Sequence, residues 1–239
     1  DVAIIGAGTA GMSAYREAIK YSDRVVMIDG GPLGTTCARV GCMPSKLLIA
    51  AAEARHRAES VGMFGLRSGP VEVDGVEVMN RVRAERDRFV GFVTDAIAGF
   101  APGGLLREHA RFVDDNRLEL AGGKQISARS IVIATGSRPI VPTRLEGAGD
   151  RLIFNDQLFD WTDLPSSVAV FGTGVIGLEL GQALHRLGVR THIYGRGGSV
   201  GPLTDPDVMA YAAAHISSEI PVDWMAADAS VARDGDAVI

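Results

Sequence analysis

Two cysteines, Cys37 and Cys42, are the residues whose type and spacing best suit them for chemistry. A regular helix would separate them by about 7.5 Å along its axis, which exceeds the usual Cα separation in a disulfide, so bonding them needs a distorted turn. Gly41 gives the chain freedom for that turn, and Pro44 suits the first turn of a following helix. Cys42 would then lie at a helix N-terminus, where the helix dipole and nearby Lys46 favour a thiolate. The spacing predicts a redox-active disulfide.

Two alternatives remain open for the cysteine pair. One is half of a zinc site, although C-x4-C is not the usual spacing and no second Cys/His pair is placed to complete four ligands. The other is a pair of inert core thiols. We favour redox chemistry and expect no metal site.

A glycine-rich turn near the start of the chain follows a β-prone apolar segment, residues 1–5. Its spaced glycines have the GxGxxG pattern: Gly6, Gly8 and Gly11. A helical pattern over residues 12–20 follows, and a second apolar strand, residues 24–28, ends at Asp29. Such glycines let a pyrophosphate approach a helix N-terminus, and the acid accepts a ribose hydroxyl. The pattern predicts a dinucleotide-binding unit, with an ordinary glycine-rich turn as the alternative.

A second fingerprint lies 166 residues further on, after an apolar strand over residues 168–171. Its glycines are Gly172, Gly174 and Gly177. A helical pattern then runs to about residue 187, and another strand covers residues 190–194. Two fingerprints in one chain imply two nucleotides, and we expect electrons to pass between them.

The intervening sequence predicts the rest of the fold. Helical patterns cover residues 44–59 and 76–100, and a buried strand covers residues 131–134. Short alternating segments predict an antiparallel β-meander: 108–113, 117–120 and 125–129. We therefore predict an α/β chain with two Rossmann-like dinucleotide-binding domains and a small antiparallel meander.

A linker rich in proline and glycine, residues 139–149, predicts a boundary between a domain over residues 1–150 and one over residues 151–239. Only 68 residues remain from Gly172 onward, whereas a domain of this type usually needs about 100 to 150. We therefore expect a truncated chain with an incomplete second domain.

Composition excludes several classes of protein. The formal charge is −5, with 24 basic and 29 acidic side chains, and no dense basic run supports binding to nucleic acid. Apolar runs are far shorter than the roughly 18 to 20 residues that cross a bilayer, so we expect no membrane partner. A close cysteine pair without a disulfide framework suggests a cytoplasmic protein.

Four ordered motifs carry a resemblance to a known family: GAGTAG, TCARVGCMPSK, ATGSRP and GTGVIGLE. Together they are similar to the N-terminal half of the class I pyridine-nucleotide disulfide oxidoreductases, flavoproteins that include dihydrolipoamide dehydrogenase, glutathione reductase and mercuric reductase. The Pro-Ser-Lys that follows Met43 is more like the first and last of these than glutathione reductase. One departure is Gly34-Thr35, where many relatives have two glycines; we expect only the loop to change.

The resemblance implies an FAD site on the first unit. The three glycines of the first fingerprint would contact the pyrophosphate, and Asp29 the adenosine ribose. Further implied contacts are Thr36 and Lys46 on the flavin side, Ala110 at the adenine, and Thr135 and Gly136 over the cofactor.

The resemblance also implies a route for electrons. The second fingerprint would hold NAD or NADP, and Glu179 would pair with Lys46 beside the isoalloxazine. Cys42 would be the flavin-proximal thiol and Cys37 the thiol that exchanges with substrate. Lipoamide dehydrogenases usually place an acid after the second strand of this domain, but this chain has a glycine followed by Arg196. An arginine accepts the 2′-phosphate of NADP, so the preference stays open, tilted toward NADP.

Three functions fit these residues. The leading one is a dihydrolipoamide dehydrogenase acting on a small-molecule or lipoyl dithiol. An NADPH-linked reductase of a low-molecular-weight disulfide or of mercuric ion is the second, and a non-catalytic nucleotide-binding redox sensor is the third. Family members carry an acid/base His-Glu pair, the rest of the flavin site and a dimer interface in the half that this chain lacks, so we expect a homodimer formed there.

Overall fold

The computed structural model describes residues 1–100, 102–226, 230–235 and 237–239. The helices are α1 (Thr9–Ala18), α2 (Thr36–Val40), α3 (Cys42–Ser60), α4 (Gly75–Ala98), α5 (Val175–Arg186) and α6 (Pro206–Glu219). The strands are β1 (Val2–Ile5), β2 (Val25–Ile28), β3 (Leu105–Leu106), β4 (Ala110–Asp114), β5 (Arg117–Leu120), β6 (Gln125–Ser127), β7 (Ser130–Ile133), β8 (Ser167–Phe171), β9 (Arg190–Tyr194), β10 (Val222–Asp223), β11 (Arg233–Asp234) and β12 (Ala237–Val238). Short 3-10 helices cover Val61–Phe64, Thr143–Arg151 and Gln157–Asp160.

The chain forms two compact units. The first combines residues 1–43 and 86–139, and the second combines residues 44–85 and 140–239. These units divide the chain elsewhere than at residue 150, because the segment 44–85 packs with the C-terminal part. The assignment of one unit to each nucleotide stays a prediction.

The first unit is built on a parallel sheet in the order β3-β2-β1-β7. One face packs an apolar cluster around Ile4, Met27 and Tyr15, with Tyr15 stacked on Phe100 at 4.1 Å between ring centroids. The other face packs Ala3 and Ile28 against the β-meander. Alternate residues of β1 therefore enter different cores, as a strand period of two requires. This is the predicted Rossmann-like arrangement.

The predicted meander is present, with β4-β5-β6 antiparallel and an irregularity between Phe112 and Asp114. The largest difference at a predicted helix boundary is in α1, which begins at Thr9 rather than at residue 12. Helix N-termini tolerate residues of low helix propensity, so the turn after Gly8 winds directly into the helix and encloses Gly11.

The second unit contains a parallel sheet in the order β10-β9-β8, with α5 and α6 connecting successive strands. Its core combines α5 with residues from α3 and α4, around the fully buried Leu48, Met79, Phe159 and Leu184. Both fingerprints thus follow the first strand of a parallel sheet and open its first crossover helix, which is the geometry that binds dinucleotides.

Candidate functional site

The cysteine segment forms a broken helical turn. Helix α2 ends at Val40, Gly41 adopts φ −132° and ψ −116°, and α3 begins at Cys42. A Cβ on Gly41 would lie 3.0 Å from the carbonyl oxygen of Thr36 and 3.5 Å from the Cα of Cys37. The chain therefore folds back on itself here, and glycine permits the close approach. The distorted turn predicted for a disulfide is present.

The two cysteines on either side of this turn are free thiols. A hydrogen bond with the Cys42 side chain, followed by burial, raises the pKa of the Cys37 thiol above its ordinary value. Backbone N–H groups of Cys42 and Met43 oppose that shift. Cys37 is half-buried, whereas Cys42 is exposed. The structure thus contains the reduced pair, and the disulfide itself stays a prediction.

The loop before the redox turn contains strained backbone. Thr35 has φ 60° and ψ 154°, and among the described residues it alone combines a positive φ with a side chain other than hydrogen. This region is essentially reserved for glycine, and a β-branched residue there is a clear outlier. The Thr35 hydroxyl accepts a hydrogen bond from Ala38 N at 3.2 Å, which caps α2. Threonine at position 35, where many relatives have a second glycine, therefore caps α2 at the cost of a strained backbone. The sequence did not indicate this strain.

The first fingerprint is shaped for a tight turn. Gly6 has φ 109°, and a Cβ there would lie 2.2 Å from Ala134 O. A Cβ on Gly11 would lie 1.9 Å from Gly6 O. A Cβ on Gly8, by contrast, would have no described atom within 4 Å other than those of its chain neighbours. Within the described chain no side chain caps α1. Open space beside uncapped helix N–H groups is what a pyrophosphate requires, so these residues fit a dinucleotide.

Asp29 follows β2 and holds the fingerprint turn. Its Oδ2 accepts a hydrogen bond from Ala7 N at 2.6 Å, and its Oδ1 accepts one from Gly31 N at 2.7 Å. Arg107 donates to the carbonyl oxygens of Asp29 and Gly31 at 2.7 and 2.5 Å. Sequence reasoning missed this arginine, which lies 78 residues from Asp29. A carboxylate oxygen accepts more than one hydrogen bond, so the predicted ribose contact remains compatible.

The other residues predicted to contact FAD lie on the first unit's elements, apart from Lys46 of the second unit. Ala110 opens β4, Thr36 opens α2, and Thr135 and Gly136 follow β7. Thr135 N lies 3.4 Å from the position of a Cβ on Gly6, so this segment borders the fingerprint. Gly136 takes φ 70°. Their cofactor contacts stay predictions.

The second fingerprint repeats the geometry of the first. Gly172 has φ 127°, and a Cβ on Gly177 would lie 2.1 Å from Gly172 O. Around Gly174 no described atom lies within 4 Å of the Cβ position, and α5 starts without a side-chain cap in the described chain. The same combination of forced glycines and open space fits a second pyrophosphate.

The loop after β9 has no room for an acid at its first position. Gly195 is buried, and a Cβ there would lie 2.7 Å from Cγ2 of Thr173 and 3.2 Å from the carbonyl oxygen of Trp224. Thr173 also lies 3.5 Å, oxygen to oxygen, from Ser199. The next residue, Arg196, is exposed. A side chain at the position that would carry a ribose-binding acid would therefore crowd Thr173 and the Trp224 carbonyl.

Lys46 and Glu179 meet within the second unit. Lys46 Nζ donates to Glu179 Oε1 at 2.6 Å, and both side chains are exposed, at 59% and 38%. At this exposure the ion pair contributes little stability. Its predicted position beside a flavin stays a prediction.

The described residues present neither a metal cluster nor a membrane-spanning helix. Among the described residues no group of three or more His, Cys, Asp or Glu side chains is placed to hold a metal ion. The described helices include none long and apolar enough to span a bilayer.

Known proteins resemble this chain in sequence and in fold. A mercuric reductase from Bacillus cereus is 31% identical over 214 residues, covering 87% of this chain and 33% of that protein. A dihydrolipoyl dehydrogenase from Thermus scotoductus is 34% identical over 198 residues, covering 79% of this chain and 40% of that protein. The matched part of this chain thus spans less than half the length of each of these relatives.

Among solved structures, the HOCl-induced flavoprotein disulfide reductase RclA from Escherichia coli superposes with a TM-score of 0.81 at 20% identity. The match covers 100% of this chain and 52% of that one, and it shows the fold. The family model described as pyridine nucleotide-disulphide oxidoreductase matches residues 1–239. The chain therefore belongs to the pyridine nucleotide-disulphide oxidoreductase family.

Proposed function

We propose that this chain is part of an FAD-dependent dithiol/disulfide oxidoreductase that passes electrons between NAD(P)H, FAD and the Cys37–Cys42 pair. The observation that carries this proposal is the redox turn, in which Gly41 breaks the helix between the two cysteines and the chain folds back on itself. Two thiols brought together on a distorted turn suit reversible disulfide formation. Family membership supports the same reaction class.

The chain's contribution to the cofactors is to bind and orient them. FAD, when bound, supplies a carrier that accepts an electron pair from one partner and passes it to another. The open turns at Gly8 and Gly174 would each take a pyrophosphate, and Asp29 would take the FAD ribose. Lys46 follows Cys42 by four residues in α3. Its charge would therefore lie one helical turn from the thiol nearest the flavin.

The cysteines would carry the exchange with substrate. The Cys37 thiolate attacks one sulfur of a substrate disulfide, forming a mixed disulfide and releasing one substrate thiolate. The Cys42 thiolate then attacks the Cys37 sulfur and releases the second substrate thiolate, and both released thiolates take up protons. The substrate gains two electrons, and the cysteine pair loses two as its disulfide forms. Oxidation of a dithiol such as dihydrolipoamide is the same path in reverse.

The second nucleotide site favours NADPH. A ribose-binding acid at Gly195 would crowd Thr173 and the Trp224 carbonyl. Arg196 follows directly, exposed and cationic, and Ser199 adds a hydroxyl close to Thr173. An arginine in place of the acid suits a 2′-phosphate. We therefore expect kcat/KM to be higher with NADPH than with NADH.

A dihydrolipoyl dehydrogenase is our leading assignment, supported by the Pro-Ser-Lys motif and by the 34% identical relative of that name. The NADPH-type loop favours a second candidate, a reductase of a low-molecular-weight disulfide or of mercuric ion as substrate, and a mercuric reductase is 31% identical. We expect the whole protein to be a cytoplasmic homodimer, with the dimer interface outside these residues.

The assignment is tested by flavin content and turnover of the purified full-length protein. Dihydrolipoamide with NAD⁺ or NADP⁺, and glutathione disulfide or mercuric ion with NADPH or NADH, are compared under identical conditions. Turnover of one substrate that disappears in Cys37→Ser supports the proposal and names the substrate. Bound flavin without turnover of any dithiol, disulfide or metal ion would instead support the sensor and contradict the enzyme assignment.

A further inference from the structure

A second ion-pair group lies on the same helix pair as Lys46 and Glu179. Arg186 of α5 donates through Nη1 to Glu53 of α3. Through Nε and Nη2 it donates to Glu219 at the end of α6, with 3.0 Å between Nη2 and Oε2. The Arg186 side chain is only 14% exposed, against 59% for Lys46. We call Arg186, Glu53 and Glu219 the inner ion-pair group.

The two ion pairs have identical spacing on both helices. Glu53 follows Lys46 by seven residues, and Arg186 follows Glu179 by seven, so each pair joins residues 133 apart in sequence. Seven residues make two helical turns, about 10.5 Å along each axis. Because both pairs advance in the same direction, α3 and α5 run parallel along this contact. Small side chains, Ala52 and Ala183, line the helix contact between the pairs.

The charges are reversed from one pair to the next. Helix α3 supplies the cation of the first pair, Lys46, and the anion of the second, Glu53. A slip of α5 by two turns in one direction would place Arg186 against Lys46, and a slip in the other direction would place Glu179 against Glu53. Each slip creates a contact between like charges, which raises the energy of the slipped state. The alternating signs therefore select one register.

The inner group has the stronger geometry of the two. The Arg186 guanidinium donates two hydrogen bonds, through Nε and Nη2, to the Glu219 carboxylate as a fork. Gln182 donates to the same carboxylate at 2.7 Å. Hydrogen bonding by Arg186 lowers the pKa of Glu219. A less exposed, multiply bonded group of this kind orients side chains better than a single exposed pair does.

We propose that Arg186 is a positioning residue, which through Glu53 fixes the register of α5 on α3 and thereby keeps Glu179 against Lys46. The importance of this register for the reaction rests on the proposed function, in which Lys46 lies beside the flavin. The register of α5 on α3 itself depends only on the chain's own residues and needs no bound cofactor.

The test compares two matched variants that each neutralise one acid partner of Arg186. Glu53→Gln weakens the link to α3, whereas Glu219→Gln weakens only the link to α6. The readout is the rate at which an amine-reactive ester labels Lys46 in the full-length protein, mapped by mass spectrometry. Lys20, in the turn after α1 and paired with Glu17 at 2.6 Å, is the internal standard.

We expect Glu53→Gln to raise labelling of Lys46 about threefold relative to Lys20, since loosening an exposed ion pair changes its population by a few-fold. Glu219→Gln loosens the fork of Arg186 but keeps its contact with Glu53, so it should raise the ratio less than Glu53→Gln does. Arg57→Gln controls for the other partner of Glu53, at 3.7 Å, and should leave the ratio unchanged. An unchanged ratio in Glu53→Gln, or an equal rise in all three variants, would overturn the proposal.

A conservative variant guards against misfolding. Arg186→Lys keeps the charge but loses the fork, so we expect a smaller rise in Lys46 labelling with unchanged circular dichroism. A folded Arg186→Lys protein with the wild-type ratio would count against the proposal. Flavin content is measured on the same samples: a protein without flavin contradicts the proposed function, whereas the labelling ratios still decide the register.

Discussion

Thr35 allows a sharp test of the loop that leads into the redox turn. Its backbone is strained at φ 60° and ψ 154°, while its hydroxyl caps α2 through Ala38 N. The two effects oppose each other, because glycine would relieve the strain and lose the cap, whereas alanine would lose the cap and keep the strain. The substitutions Thr35→Gly and Thr35→Ala should therefore change stability in opposite directions.

The magnitudes follow from each effect separately. Strain of this kind costs about 1–3 kcal/mol, and replacing a threonine cap by glycine costs only about a few tenths of a kcal/mol. Glycine also raises unfolded-chain entropy, worth about 0.5–1 kcal/mol. Thr35→Gly should thus gain about 1 kcal/mol, whereas Thr35→Ala should lose about 1 kcal/mol by losing the cap.

The assay is thermal and urea unfolding of the reduced protein, with Thr35→Ser as the control that keeps both hydroxyl and strain. For a chain of this size 1 kcal/mol corresponds to about 2–4 °C in Tm. We expect Thr35→Gly to melt about 3 °C above wild type and Thr35→Ala about 3 °C below it. A Thr35→Gly protein less stable than wild type would refute the strain argument.

Three further predictions concern the turns that position the chemistry. Gly41→Ala places a methyl group 3.0 Å from a carbonyl oxygen and 3.5 Å from Cys37 Cα, so it should slow disulfide formation about tenfold or more, measured by thiol titration after peroxide. The raised pKa of Cys37 favours its protonated form in the folded state, so its contribution to stability is present below the ordinary thiol pKa and is lost as pH rises through the raised value. Urea unfolding of the reduced protein from pH 7 to 10 should show this decline, and Cys37→Ser should remove it. Gly8→Ala should fold normally yet lose flavin, because its methyl group would occupy the open space proposed for the pyrophosphate. Gly11→Ala should fold poorly, because its methyl group meets a carbonyl oxygen. Equal flavin content in Gly8→Ala and wild type would contradict the proposed pyrophosphate site.

Local sequence signals predicted much of the fold. Both fingerprints were predictable because Gly11 and Gly177 must each lie against the carbonyl of the first glycine of the motif, which leaves no room for a side chain. The distorted cysteine turn was predictable because a regular helix keeps i and i+5 too far apart for a disulfide. These features depend on a few neighbouring residues, so spacing alone indicates them.

Features that depend on distant packing were not predictable in this way. The strain at Thr35 arises from how the loop enters α2, and nothing in the residue type indicates a positive φ. Arg186 meets Glu53 only because α3 and α5 pack together, although 133 residues separate the two. The pairing of Lys46 with Glu179 over the same separation was expected only through the family resemblance.

The measurement closest to the central claim is an anaerobic titration of the full-length protein with NADPH, followed by visible absorption. We predict a yellow protein that develops a long-wavelength band from a thiolate beside the flavin, more readily with NADPH than with NADH. The band should persist in Cys37→Ser and disappear in Cys42→Ser, which identifies the thiol next to the flavin. A flavin that bleaches without this band in the wild-type protein would contradict the account, since the cysteine pair would then not exchange electrons with the cofactor.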